Sequence, residues 1–132
     1  MLRLVNHVER SPSYNWYQSA YRKGYSKETA ITRLLNDIYC NADNKARTLL
    51  VQLDLSAAFD TIDIDTLMTR IEHTFGISGR ALLWLKSYLN NRSQFIRVGN
   101  KQSASKICEF GVPQGSVLGP LLFTLYVALS PT

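Results

Sequence analysis

The chain has 132 residues, 45% of them hydrophobic, which is enough for one small domain with a core and too apolar for wholesale disorder. Lys and Arg number 15 against 10 Asp and Glu. The resulting +5 charge suits a polyanion such as nucleic acid, although scattered basic residues also make an ordinary solvated surface.

Residues 1 to 25 read as polar, aromatic and irregular, with a turn signal at Ser11-Pro12-Ser13. Met1 to Arg10 carries no signal-peptide pattern, so the expectation is an intracellular protein of cytoplasm or nucleus. Ser26 is placed to cap a helix, with Glu28 in its first turn. Ala30, Ile31, Leu34, Leu35 and Ile38 recur at helical spacing, and Asn41-Ala42-Asp43-Asn44 ends the helix. Cys40 and Cys108 have no CxxC or zinc spacing, and their apolar neighbours predict buried free thiols.

The run Leu49-Leu50-Val51-Gln52-Leu53 predicts a buried strand over Thr48 to Leu55. Asp63 is a candidate N-cap for a second helix with Leu67, Met68, Ile71 and Phe75 inward and Gly76 as its stop. Ser78 is the candidate cap of a third, with Leu82, Leu85 and Leu89 inward, Arg80 and Lys86 outward, and Asn90-Asn91 at its end. Gln94 to Val98 and Ser105 to Phe110 predict a hairpin around Gly99-Asn100-Lys101. A Gly/Pro-rich loop at 111–120 leads to a last helix after Pro120. The apolar run Val117 to Leu129 is shorter than the ~18 residues of a membrane span, so a core helix is expected. The order helix, strand, helix, helix, hairpin, helix predicts an α+β class.

Two segments carry chemistry. In Leu53-Asp54-Leu55-Ser56-Ala57-Ala58-Phe59-Asp60 the expected strand ends on Asp54, a charge costly to bury unless paired or holding a metal. By spacing alone Asp54 reads first as a helix cap or turn former after a strand, and Phe59 as a ring in the core. Asp60, Asp63 and Asp65 read as caps and surface carboxylates. The second segment is Gly111-Val112-Pro113-Gln114-Gly115-Ser116-Val117-Leu118-Gly119-Pro120. Gly and Pro keep it irregular and allow close approach to a ligand, Gln114 offers both a donor and an acceptor, and a helix N-terminus follows. By itself such a Gly-Pro segment is usually a rigid connection without a ligand.

Together these segments resemble motifs A and B of reverse transcriptases, most closely those of retrotransposons that lack long terminal repeats (LINE-type). Gln18-Ser19-Ala20-Tyr21-Arg22-Lys23-Gly24-Tyr25-Ser26 is similar to the fingers segment before motif A, and Ser93 to Val98 to the hairpin before motif B. The resemblance runs from about Tyr17 through Tyr126. Ile64 and Lys27 depart from the commonest pattern, where histidine and threonine are usual.

The resemblance implies part of a right-hand polymerase: fingers over about 1–47 and palm over 48–132, with motif A at 53–60 and motif B at 111–120, lacking the motif C hairpin and the thumb. It implies RNA-directed DNA synthesis with Mg²⁺, an RNA template, a DNA primer and deoxynucleotide triphosphates. Two metal ions ~3.5–4 Å apart would stabilise the attacking and leaving oxygens. It puts a metal carboxylate on Asp54 and a metal-binding carbonyl on Leu55. Phe59 takes the role of the ring that bars a 2′-hydroxyl, and Gln114 and Gly115 lie beside the nucleotide. Arg22 and Lys23 become candidate phosphate contacts, with a solvated basic turn as the equal alternative. Without motif C the expectation is a chain inactive alone; a non-catalytic nucleic-acid-binding module or a non-functional remnant is the alternative.

Overall fold

The computed structural model describes residues 2 to 128, apart from the side chain of Leu2. It divides into two compact units, Met1–Tyr14 with Ala57–Thr132, and Asn15–Ser56. Both helices and short strands are present, in agreement with an α+β reading.

In the Asn15–Ser56 unit the main element is a helix, α2 (Lys27–Asp43). Its start is the expected Ser26, in a reciprocal capping box: the Ser26 hydroxyl accepts from the Thr29 N–H, and the Thr29 hydroxyl accepts from the Ser26 N–H. Asn44 closes the other end, its backbone N–H and side-chain amide both donating to the Cys40 carbonyl. None of the residues of α2 is buried, so its apolar stripe, Ile31 to Ile38, lacks the cover the periodicity led us to expect. Cys40 is free but exposed, contrary to the expected burial.

The expected strand over Thr48 to Leu55 is absent. This stretch is irregular and exposed throughout, with Leu49 and Leu53 close to 90% accessible. The physical reason is pairing. A strand is stable only when its N–H and C=O groups meet a neighbour, and no described strand is paired with this one.

The other unit opens with a helix where irregular chain was expected, α1 (Leu2–Glu9). Its hold is tertiary rather than local. Val8 is fully buried, the His7 Nε2–H donates to the Phe75 carbonyl at 2.7 Å, and the Ser13 hydroxyl donates to the Thr74 carbonyl. Ser11-Pro12-Ser13 forms the expected turn, closed by Tyr14 N–H to Ser11 O.

The core is built from α3 (Ile64–His73), α4 (Gly79–Leu89) and α5 (Gly119–Val127), with α3 packed on both others. Asp63 caps α3, accepting from the Thr66 N–H at 2.7 Å. Ser78 holds the N-cap position of α4, but its side chain makes no capping bond. Leu67, Ile71, Leu85, Leu89, Leu122 and Leu125 are fully buried, and Phe75 is buried just beyond α3, before the turn at Gly76. Burial of each such side chain stabilises by roughly 1.5–3 kcal/mol. Helix α5 begins at Gly119 with Pro120 in its first turn, where proline lacks nothing by missing an N–H. Leu129, the end of the apolar run, lies outside the described residues. The Arg70 guanidinium donates to the Tyr126 and Ala128 carbonyls and lies over the Tyr126 ring, closing the end of α5.

The hairpin is present, split into two antiparallel ladders. Strand β1 (Ser93–Gln94) pairs with β4 (Lys106–Ile107), and β2 (Arg97–Val98) with β3 (Lys101–Gln102). Lys101, expected in the turn, pairs with Val98, so the turn is Gly99-Asn100 alone. Between the ladders residues 95–96 face 103–105, a bulge in which the Ser103 hydroxyl accepts from the Ile96 N–H. Cys108, next to β4, is free and half-buried, less covered than expected.

Candidate active site

The two chemistry-bearing segments are distributed over both units. Asp54 and Leu55 belong to Asn15–Ser56, as do Arg22 and Lys23. Phe59, Gln114 and Gly115 belong to the other unit, and there the end of the first segment meets the second.

The meeting point is backbone against backbone. After the turn at residues 56–60, closed by Asp60 N–H to Ala57 O at 2.8 Å, the chain runs past the start of the glycine-rich loop. The Gly111 N–H donates to the Ile62 carbonyl at 2.8 Å and the Val112 N–H to the Phe59 carbonyl at 2.9 Å. Asp63 and Phe110 form an antiparallel bridge beside them. This approach needs glycine: a Cβ on Gly111 would stand 2.9 Å from both the Asp60 Cα and the Phe59 carbonyl oxygen, at a φ of +81°.

The loop is then fixed from two sides. Arg92, just after α4, donates from Nε to the Leu89 carbonyl at 2.9 Å and from Nη2 to the Phe110 and Gly111 carbonyls. From the loop itself, the Gln114 amide reaches back, its Nε2 lying 3.0 Å from each carboxylate oxygen of Asp60. Gly115 follows at φ +73°, and Ser116 Oγ accepts from the Gly119 N–H to lead into α5. A groove of about 1030 Å³ opens here, its walls including Asp60, Arg92, Lys106, Glu109 and Gln114.

Phe59 is half-buried, its ring centroid 5.1 Å from that of Phe123 on α5. Asp54 is exposed, and its Oδ1 accepts from the Leu55 N–H at 3.0 Å. A carboxylate and a carbonyl are the hard oxygen donors that Mg²⁺ takes. Among the described residues no three His, Cys, Asp or Glu side chains gather as a metal set. In the Asn15–Ser56 unit the Arg22 guanidinium lies 4.2 Å from the centroid of the Tyr25 ring and 5.4 Å from that of Trp16, and Arg33 lies 4.3 Å from the Tyr17 ring. Lys23 is exposed.

Asp63 and Asp65 match the expectation of cap and surface carboxylate, and the Thr66 hydroxyl and N–H hold the Asp63 carboxyl below its ordinary range. Asp60 does more than that reading allowed, since it binds Gln114. Arg92 also stands out only in three dimensions, while Gly111 had a sequence signal in the density of special residues between 111 and 120.

The reverse transcriptase (RNA-dependent DNA polymerase) family matches this chain over residues 2–130. The chain belongs to that family. Among curated proteins, it is 36% identical over 115 residues, 87% of its length, to the probable RNA-directed DNA polymerase from transposon BS of Drosophila melanogaster. It is 33% identical over 95% of its length to the probable RNA-directed DNA polymerase from transposon X-element, and 29% identical over 88% to the RNA-directed DNA polymerase from mobile element jockey, both of the same fly. The chain spans 12 to 14% of the length of these relatives. The expected kinship with retrotransposons lacking long terminal repeats holds. No solved structure matches this reverse transcriptase chain. No helix among the described residues is long and apolar enough to cross a membrane.

Proposed function

We propose that the chain is the motif A and motif B portion of an RNA-directed DNA polymerase that copies RNA into DNA during retrotransposition. On this reading, residues to about 47 belong to the fingers and those from 48 to the palm. Template RNA, primer and deoxynucleotide triphosphates are its partners. The observation that supports it best is the joining of Phe59 and Asp60 to Gly111, Val112 and Gln114, segments some fifty positions apart that a polymerase must bring to one nucleotide.

The roles follow from the side chains. Asp54 and the Leu55 carbonyl are the right donors for Mg²⁺ in kind, and one carboxylate does not complete a two-ion site. When bound, the metal pair supplies charge stabilisation to the attacking and leaving oxygens. The Phe59 ring, braced by Phe123, offers a rigid apolar wall against which a sugar can be sized. Gln114 and Gly115 present a polar side chain and an unobstructed backbone to the nucleotide, a Cβ on Gly115 meeting nothing within 4 Å. Arg22 and Lys23 supply positive charge for phosphates.

The test is to substitute this chain for the matching segment of the transposon BS polymerase and to measure primer extension on an RNA template. Extension with deoxynucleotides is expected, lost in Asp54→Ala, with Phe59→Ala admitting ribonucleotides. Extension indifferent to Asp54→Ala would refute the assignment.

A further inference from the structure

We propose that Asp60 is a positioning residue that sets the polarity of Gln114. A glutamine amide has one donating and one accepting end, and either can face a ligand. A carboxylate only accepts. With both Asp60 oxygens 3.0 Å from Nε2, one N–H of the amide is shared between them, which turns the NH2 end toward Asp60 and leaves Oε1 facing away from the carboxylate. Gln114 thus offers Oε1 to an O–H or N–H of a ligand, and of its two N–H groups only the one not shared by the carboxylate remains to donate elsewhere.

Both side chains are exposed, and what holds them together is the backbone beneath them. Asp60 stands between Phe59 and Ile62, whose carbonyls accept from Val112 and Gly111 at 2.9 and 2.8 Å, so the backbones bearing the two side chains are bonded to each other. The Arg92 guanidinium holds the Phe110 and Gly111 carbonyls from the other side. The carboxylate and the amide therefore meet on a fixed frame.

That the donor belongs to a nucleotide rests on the polymerase reading; the amide's polarity does not. Two measurements on this chain separate them. In ¹⁵N-labelled protein the Gln114 side-chain signals are identified by their loss in Gln114→Glu. Their shifts are expected to lie away from those of a solvated amide and to move there in Asp60→Ala, with the thermal melt unchanged. Solvated-amide shifts in the parent chain, or shifts that ignore Asp60→Ala, would overturn the proposal.

The second measurement is the affinity for a deoxynucleoside triphosphate with Mg²⁺, in a double-mutant cycle. Asp60→Ala and Gln114→Ala are each expected to weaken binding about 2- to 10-fold, the size of one net hydrogen bond, and the double variant no further. Fully additive losses would overturn the proposal. Absence of nucleotide binding in the parent chain, with the amide signals as expected, would count against the polymerase reading and leave the Asp60–Gln114 assignment standing.

Discussion

Replacing Gly111 by alanine tests the junction between the two motifs most directly. The added Cβ would stand 2.9 Å from the Asp60 Cα, 2.9 Å from the Phe59 carbonyl oxygen and 3.0 Å from the Asp60 carbonyl oxygen. All three are backbone atoms, so no rotamer change relieves the overlap. A left-handed backbone costs an L residue about 1–2 kcal/mol, and forced overpacking adds about 1–3 kcal/mol. Gly111→Ala should therefore destabilise its unit by about 2–5 kcal/mol. The control is Gly115→Ala. Its φ of +73° carries the same conformational cost, but a Cβ there meets nothing within 4 Å, so only about 1–2 kcal/mol is expected. Urea denaturation of the two variants, followed by tryptophan fluorescence and circular dichroism, measures both. Equal losses would refute the argument, because they would mean that close approach contributes nothing beyond φ.

Other variants probe single contacts. Ser26→Ala removes one half of the capping box on a helix with no buried residue, and should cost about 1 kcal/mol of helix stability, read as faster amide exchange across residues 27–43. Arg92→Lys keeps the charge but loses the planar fork on the Leu89, Phe110 and Gly111 carbonyls, so the Gly111 and Val112 amides should exchange faster. Leu122→Ala, at a fully buried position on α5, should cost about 2–5 kcal/mol in a denaturation curve. The Thr66 hydroxyl and N–H hold the Asp63 carboxyl below its ordinary 3.8, so its support of α3 is present above that pH and is lost as pH falls through the lower folded value. The Thr66 amide shift should follow that acid titration, and Asp63→Asn should abolish it.

Local signals were legible where the structure keeps them local. Ser26 and Asp63 announce helix starts because their side chains answer N–H groups three residues away, whatever lies beyond. The stripes of α3 and α4 were legible because Leu67, Ile71, Leu85 and Leu89 face one another across a helix pair. Leu49 to Leu53 has the composition of a buried strand and remains an exposed, irregular stretch, since composition does not provide a partner for its backbone. Helix α1 fails in the opposite sense. Its eight residues are too few to hold a helix by propensity, and what holds it, Val8 in the core and His7 on the Phe75 carbonyl, lies 68 positions away in sequence.

The site divides along the same line. Phe59, Gln114 and Gly115 were visible as motif letters, each with a side chain or backbone suited to a nucleotide. Asp60 read as a surface carboxylate because its partner is 54 positions further on, and nothing near it in sequence asks for an acceptor. Yet which end of the Gln114 amide faces a ligand is decided by Asp60 and not by glutamine itself. A motif letter thus names a functional group, and its polarity comes from the contact that holds it. Gly111 supplies the condition for that contact, since any larger residue would part the two backbones. A chain that kept Gln114 but lost Gly111 or Asp60 would still match the motif in outline, and its amide would be free to turn either end to a ligand.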